Sequence, residues 1–180
     1  MSAFVAVQYA QRALEIAWDG RLPVDPAAIA RNINVYLNDP VSGEPRSIPI
    51  EVIESDPFEL AGASGEARLD DSNGPLSFKC VFNGFEISYR NRFTIAHELG
   101  HVLLGHVNEY NTKKRDTNFS SNTYDPDEIS ANAFAAALLM PEDKIRDYYR
   151  SASSLQQLAD AFGVSTAAMS YRLQNLGIYI

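Results

Sequence analysis

The segment from Arg92 to Leu103 restricts the possible folds more than any other part of the chain. Its apolar residues recur at helical spacing over a wide face, yet it also carries His97, Glu98 and His101. A helix with so wide an apolar face must be buried, and burial of three polar side chains without partners is costly. The sequence therefore predicts a buried central helix whose polar residues face a cleft.

Helical patterns surround a region of short strands. Apolar spacing predicts helices at 2–18 and 127–140, and Asp25-Pro26 predicts the start of a short helix. Further along, short apolar runs are separated by Pro, Gly, Asn and Asp, which is typical of strands and turns. These runs are 35–37, 48–53, 76–82 and 85–88, with Asn83-Gly84 predicting a hairpin between the last two. We expect an α+β fold, mainly helical, with a small twisted antiparallel or mixed sheet over the central helix.

The C-terminal part of the chain is again helical. The polar stretch 107–127 predicts a solvated surface loop, and Pro141 predicts the first turn of a later helix. Residues 155–176 then match a helix-turn-helix, with Gly163 at the turn. Its second helix has Arg172 as its only positively charged residue, and the chain has a formal charge of −8. We therefore expect this segment to pack on the rest of the chain or dock a protein partner, without direct nucleic-acid binding; DNA binding is the alternative.

Composition limits both the metal chemistry and the location. Cys80 is the only cysteine, which excludes an internal disulfide and a cysteine-rich zinc site. The first 17 residues lack the positive start and the apolar run of a secretory signal. No stretch of about 18 consecutive apolar residues occurs elsewhere. We expect a cytoplasmic protein without a membrane span, whose metal ligands come from His, Asp and Glu.

The spacing of His97 and His101 predicts a metal site. Residues four apart on a helix project from the same face, so both imidazoles can reach one ion. Glu98 follows the first histidine and can reach a water molecule at that ion. This pattern is typical of metal-assisted hydrolysis with the glutamate as general base.

A catalytic zinc needs a third protein ligand from outside this pair. His106 is nearest in sequence, but it falls one residue short of the spacing found in three-histidine sites. Glu128 is the better candidate, because it opens the Ala-rich helix and Asn132 follows one turn later, where it can hold a ligand imidazole from the outer side. Asp125 and Asp127 are competing candidates.

Polar residues that flank the zinc helix are candidates for contacts to the substrate or the transition state. Tyr89, Arg90 and Arg92 precede the two histidines, and His106 follows them. For Tyr89, Arg90 and Arg92, the alternative is ordinary surface salt-bridging. For His106, the alternative is a structural role.

Two long motifs together resemble the ImmA/IrrE family of metallo-endopeptidases. They are Arg92-Phe-Thr-Ile-Ala-His-Glu-Leu-Gly-His101 and Glu128-x-x-Ala-Asn-Ala-Phe-Ala-Ala-Ala-Leu-Leu-Met-Pro141, and weaker matches lie at 22–26 and 158–165. The resemblance implies a gluzincin-like site in which His97, His101 and Glu128 bind Zn²⁺ and Glu98 activates water. It also implies a zincin-like metallopeptidase domain over 1–150, with the helix-turn-helix-like segment 151–180 packed on it.

The same resemblance implies a substrate. Members of this family typically cleave or inactivate a helix-turn-helix transcriptional repressor, which controls mobile-element transfer or a stress response. An edge strand next to the zinc can hold an extended peptide, and the matching segment is 77–82, with Phe78, Lys79, Cys80 and Val81. Because the chain ends at Ile180, we expect no sensing through the further C-terminal domain of longer members.

The alternative to an enzyme is a non-catalytic binding module. In that case, a zinc-stabilised domain sequesters a repressor or another partner without turnover. The presence of Glu98 favours the enzyme, because structural zinc needs no general base.

Overall fold

The computed structural model describes residues 1–39, 41–72, 74–108, 111–115 and 125–178. The helices are α1 (Ala3–Ala17), α2 (Pro26–Arg31), α3 (Ser88–Leu103), α4 (Pro126–Leu139), α5 (Glu142–Tyr149), α6 (Leu155–Phe162) and α7 (Thr166–Asn175). The strands are β1 (Asn34–Asn38), β2 (Pro45–Ser55), β3 (Gly65–Asp70), β4 (Ser77–Asn83) and β5 (Lys113–Arg115). The predicted α+β class is confirmed. Within these ranges, no helix combines the length and apolar character that a membrane span requires.

The strands form one mixed sheet in the order β1-β2-β4-β3-β5. Strands β2 and β4 are parallel, and every other neighbouring pair is antiparallel. This arrangement fits the expectation of a small mixed sheet. Strand β4 lies inside the sheet, with β2 on one side and β3 on the other.

The helix starts follow the capping signals of the sequence. The side chain of Asp25 accepts hydrogen bonds from the backbone N–H groups of Ala27 and Ala28, and Pro26 occupies the first position of α2. Asp125 caps α4 in the same way, again followed by a proline. Local chemistry therefore fixes the start of α4, the helix that carries Glu128.

Helix α3 contacts β3 and β4 of the sheet as well as α4. It packs tightly on α4 at Gly100, where an added Cβ would lie 3.1 Å from Cδ1 of Phe134 and 3.3 Å from the carbonyl oxygen of Ala131. Phe134 is fully buried in the main hydrophobic core. The lack of a side chain at Gly100 thus lets α4 pack closely on the helix that carries the two histidines.

The C-terminal helices α6 and α7 share the main core through apolar residues such as Phe162 and Met169. Gly163 has the positive φ of +61° that the turn between them requires. Arg172 of α7 is 8 % exposed, and its Nε donates a hydrogen bond to the carbonyl oxygen of Met140 at 3.1 Å. The structure thus contains both helices of the predicted helix-turn-helix. The division of the chain into two domains at residue 150 stays a prediction.

The predicted hairpin at Asn83-Gly84 is wrong. Asn83 ends β4, and its side chain accepts a hydrogen bond from the N–H of Phe85 in a turn that leads directly into α3. Both sides of β4 already pair with β2 and β3, so no position remains beside it for a strand at 85–88. Helix α3 therefore begins at Ser88 instead of near Arg92.

Two strands are absent from the sequence prediction. Strand β3 has charged residues at every second position, and β5 lies in the stretch 107–127, which we predicted to be a loop. Strand β5 pairs with Gly65–Ala67 of β3. The parts of this loop at 109–110 and 116–124 lie outside the described residues.

Candidate metal centre

Helix α3 places two histidines on one face, one turn apart. His97 and His101 are both buried, and Glu98 beside them is fully buried. Nε2 of His97 lies 3.0 Å from Nε2 of His101. A spacing of four residues on a helix brings two side chains to the same region. Both imidazoles can therefore bind one ion.

Helix α4 brings Glu128 to the same point. Its Oε2 lies 3.2 Å from Nε2 of His97, and its Oε1 lies 3.1 Å from Nε2 of His101. One donor atom from each of the three residues lies within 4.8 Å of the others. We call His97, His101 and Glu128 the metal-ligand cluster.

The donor atoms and their spacing fit a zinc ion. Two ligands that each lie about 2.0 to 2.1 Å from one tetrahedral zinc are about 3.3 Å apart. The donor separations of 3.0, 3.1 and 3.2 Å in the metal-ligand cluster are close to this value. Two imidazoles and one carboxylate also leave the fourth position that a catalytic zinc needs for water.

The surroundings of Glu128 keep its carboxylate ionised. Burial acts to raise its pKa, but the hydrogen-bond contacts with the imidazoles of His101 and His97 hold this pKa well below its usual range. The ionised carboxylate is the form that binds a metal. The local electrostatics therefore agree with a ligand role.

Asn132 contacts the outer nitrogen of His97, as the sequence predicts. Its Oδ1 lies 3.0 Å from Nδ1 of His97. An amide oxygen accepts a hydrogen bond, so this contact places the imidazole proton on Nδ1 and leaves Nε2 free to face Glu128.

His106 lies behind His101 and is not part of the metal-ligand cluster. Nδ1 of His106 lies 3.0 Å from Nδ1 of His101. Of the other residues considered as ligands, Asp127 lies 3.4 Å from Nε2 of His106, and Asp125 caps α4. Among the candidates for third ligand, the structure brings Glu128 to the two Nε2 atoms.

Comparison with known proteins supplies the family. Residues 86–174, which include the metal-ligand cluster and most of α7, match the family model of the IrrE N-terminal-like domain, Peptidase_M78. The chain belongs to the ImmA/IrrE family. No curated protein sequence matches the chain significantly. Membership of this family and the metal-ligand cluster together indicate a metallopeptidase.

Three polar residues of α3 have different surroundings in this ImmA/IrrE family member. Tyr89 and Arg90 line a groove of about 700 Å³ that Asn132 also lines. Arg90 is in addition paired with Glu86, whose carboxylate lies 3.1 Å from its Nε. These two residues therefore lie where a substrate could reach them, although Arg90 also has the salt bridge of the alternative interpretation.

Arg92 has a structural position. It donates a hydrogen bond to the carbonyl oxygen of Val24, and its guanidinium lies against Gly163 in the turn between α6 and α7. These contacts give Arg92 a role in the fold, and its contact with a substrate stays a prediction. The long side chain of Arg92 thereby joins α3 to the segment before α2 and to the turn between α6 and α7.

The predicted substrate strand is also wrong, because β4 is not an edge strand. Its residues Phe78, Lys79, Cys80 and Val81 pair with β2 on one side and β3 on the other, so their backbone groups are already used. Phe78 and Cys80 belong to the main core. Burial, together with the nearby charge of Glu98, raises the pKa of the Cys80 thiol. The order of strands depends on distant pairing, which short sequence patterns do not contain.

Strand β3, which is missing from the sequence prediction, passes close to Glu98. A Cβ added to Gly65 would lie 3.0 Å from Oε1 of Glu98 and would contact the side chain of Thr94. Glycine is therefore required where β3 passes the catalytic motif. Because β5 pairs with β3 over Gly65–Ala67, an extended peptide cannot pair there unless β5 moves away. The alternation of Glu66, Arg68 and Asp70 was the signal that could have revealed β3.

Proposed function

We propose that this chain is a zinc-dependent endopeptidase that cleaves a regulatory protein, with a helix-turn-helix transcriptional repressor as its substrate. The observation that carries the proposal is the metal-ligand cluster, with the fully buried Glu98 next to His97 on the same helix. A structural zinc site has four protein ligands and no need of a general base. Three ligands beside a glutamate are the arrangement of a hydrolase.

The ligands, Glu98 and Asn132 have separate roles in the proposed hydrolysis of a peptide bond. Zinc, when held by His97, His101 and Glu128, supplies a Lewis acid that polarises the carbonyl and lowers the pKa of water. Glu98 removes a proton from the attacking water as the oxygen bonds to the carbonyl carbon. Glu98 then delivers this proton to the amide nitrogen as the carbon–nitrogen bond breaks. Asn132 keeps the His97 ring oriented during both steps.

Two features support a protein substrate with a basic surface. The groove that Asn132 lines also contains the exposed side chains of Ile129 and Tyr171, so it offers apolar contacts along its length. The formal charge of −8 attracts a DNA-binding protein, whose own surface must be basic to contact phosphates. Cleavage of a repressor would release the genes it controls, in mobile-element transfer or a stress response.

Glu98→Gln tests the proposed chemistry. The amide has nearly the shape of the carboxylate but cannot accept the proton, so we expect cleavage to fall by about 10² to 10⁴-fold. Zinc content should remain that of the wild type, because Glu98 is not in the metal-ligand cluster. The measurement is co-expression with the repressor encoded beside the gene, followed by mass spectrometry of the products and metal analysis.

A matched control is Glu15→Gln, which makes the same chemical change at an exposed position of α1. This control should cleave like the wild type. If the Glu98→Gln variant inactivates the repressor as well as the wild type does, the enzyme is excluded and the binding module that sequesters its partner is favoured.

A further inference from the structure

The end of α3 folds His106 back onto His101. Gly105 has a φ of +74°, which the backbone needs in order to reverse direction after the helix. The N–H of His106 donates to the carbonyl oxygen of His101 at 2.9 Å, and the N–H of Gly105 donates to that of Val102 at 3.1 Å. These two bonds define a Schellman motif. The motif places the buried His106 ring against His101 on the side away from Glu128.

Metal binding by His101 fixes where the proton of each ring lies. Nε2 of His101 faces His97 and Glu128, so this nitrogen must be free of hydrogen when it binds the metal. The proton of His101 then lies on Nδ1 and must be donated. The atom 3.0 Å away is Nδ1 of His106, which therefore accepts the hydrogen bond and carries its own proton on Nε2.

The His106 ring also has acceptors for the proton on its Nε2. Nε2 of His106 lies 3.4 Å from Oδ1 of Asp127 and 3.5 Å from Oγ of Ser130. Ser130 donates its hydroxyl proton to the carbonyl oxygen of Asp127 at 3.0 Å, so its lone pairs face His106 as acceptors. One consistent set of proton positions thus runs from Asp127 and Ser130 through His106 to His101.

We propose that His106 is a positioning residue, which with Asp127 and Ser130 fixes the tautomer and the ring orientation of His101. Asn132 serves His97 in the equivalent place, with the same 3.0 Å separation from Nδ1. The inference rests on the proposed zinc site. His106 is neither a zinc ligand nor a contact to the substrate, because its ring touches the face of His101 that points away from the metal-ligand cluster.

Two substitutions at position 106 separate this role from simple packing. His106→Leu fills the buried space but offers no acceptor to Nδ1 of His101, so we expect zinc affinity to fall by about 10 to 100-fold. His106→Asn can place an amide oxygen near the position of Nδ1, so we expect it to restore affinity to within about threefold of the wild type. Zinc affinity is measured by competition with a chromophoric chelator, which needs no substrate.

Two further measurements extend the test, and the first of them does not depend on whether His106→Leu folds. Asp127→Asn keeps the side-chain shape and weakens the acceptor of His106, so we expect a loss of zinc affinity of a few-fold. The visible spectrum of the Co²⁺-loaded protein should change in His106→Leu and keep the wild-type form in His106→Asn, because it reports ligand orientation.

Equal zinc affinity in the wild type and His106→Leu would overturn the inference and leave the zinc site intact. A loss in His106→Asn as large as in His106→Leu would overturn it as well, because packing would then be the cause. A wild-type protein that binds no zinc would instead overturn the proposed function, and this inference with it.

Discussion

The metal-ligand cluster and a second cluster on the sheet both contain buried and partly buried ionisable side chains, but they balance charge in different ways. The second, which we call the salt-bridge cluster, consists of Glu66, Arg68 and Asp70 of β3 and Lys79 of β4. Asp70 lies 2.5 Å from Nζ of Lys79 and 2.6 Å from Nε of Arg68, which also contacts Glu66 at 2.6 Å. Two cations and two anions therefore neutralise one another.

The metal-ligand cluster includes no lysine or arginine that could neutralise its carboxylate. It combines the ionised Glu128 with two imidazoles whose Nε2 atoms converge on it, and the buried Glu98 lies next to His97. An added divalent cation would complete it, whereas the salt-bridge cluster is already complete. Burial of charge alone does not distinguish a functional site from a structural one. A functional site is instead indicated by donor atoms that converge on one point and whose charge no neighbouring cation balances.

Glu128→Ala should give the largest effect that separates the two clusters. Removal of a metal ligand should weaken zinc binding by more than the roughly 100-fold expected for an outer hydrogen-bond partner. His106→Ala, which leaves all three donors in place, should therefore bind zinc better than Glu128→Ala. The measurement is zinc content after dialysis against a weak chelator, together with the dissociation constant.

Asp70→Ala is the matched control for that comparison, since it removes a partly buried carboxylate from the other cluster. It should retain the zinc affinity of the wild type. Greater loss of zinc in His106→Ala than in Glu128→Ala would assign the third ligand to His106 and would break the distinction between the clusters.

The two clusters also differ in how far the sequence reveals them. His97, Glu98 and His101 are close in sequence, and helical periodicity with a capping aspartate places Glu128 and Asn132 at the start of a second helix. Their meeting point follows once the two helices are known to pack together. The sequence also contains Gly100, the small residue that close packing of these two helices requires. Its importance becomes visible only in the folded structure, where Phe134 and Ala131 lie against it.

The sheet is harder to predict because its pairing is distant in sequence. The salt-bridge cluster forms only when β3 lies beside β4, with Arg68 opposite Lys79 in the register. In the sequence, the alternation of Glu66, Arg68 and Asp70 fits a strand, but three charges so close together also fit a solvated segment, because each charge finds its partner only after folding. The same limit explains why β4 was expected at an edge. The fold of His106 onto His101, by contrast, has a local signal in Gly105 that sequence reasoning overlooked.

Asp70→Asn should lower stability without affecting the metal. It leaves the buried ammonium of Lys79 without its carboxylate partner, and we expect a loss of about 2 kcal/mol in the free energy of unfolding at neutral pH. The measurement is urea unfolding followed by circular dichroism. A double variant that also carries Lys79→Met should recover much of the loss, because no unpaired charge then remains buried.

The effect of Asp70→Asn should depend on pH in a defined direction. Burial acts to raise the pKa of Asp70, but hydrogen bonds from Lys79, Ser72 and Arg68 hold it well below its usual range. A carboxylate with a lowered pKa stabilises the fold above its unfolded-state value, and this contribution is lost as the pH falls. The difference between wild type and Asp70→Asn should therefore shrink below about pH 4. A constant difference from pH 7 to pH 3 would mean that the ion pairs contribute nothing.

Arg172 adds a third kind of buried charge, and its removal should give the smallest effect. Its Nε donates to the neutral carbonyl oxygen of Met140, so Arg172→Met should cost about 1 to 2 kcal/mol in the free energy of unfolding. Because this cation faces inward, we expect neither wild type nor Arg172→Met to bind duplex DNA near physiological salt, as measured by fluorescence anisotropy. Gln156→Ala, an exposed change on α6, serves as the control for stability. Salt-dependent DNA binding that disappears in Arg172→Met would show that the guanidinium contacts phosphate, and α7 would then be a recognition helix instead of a packing element.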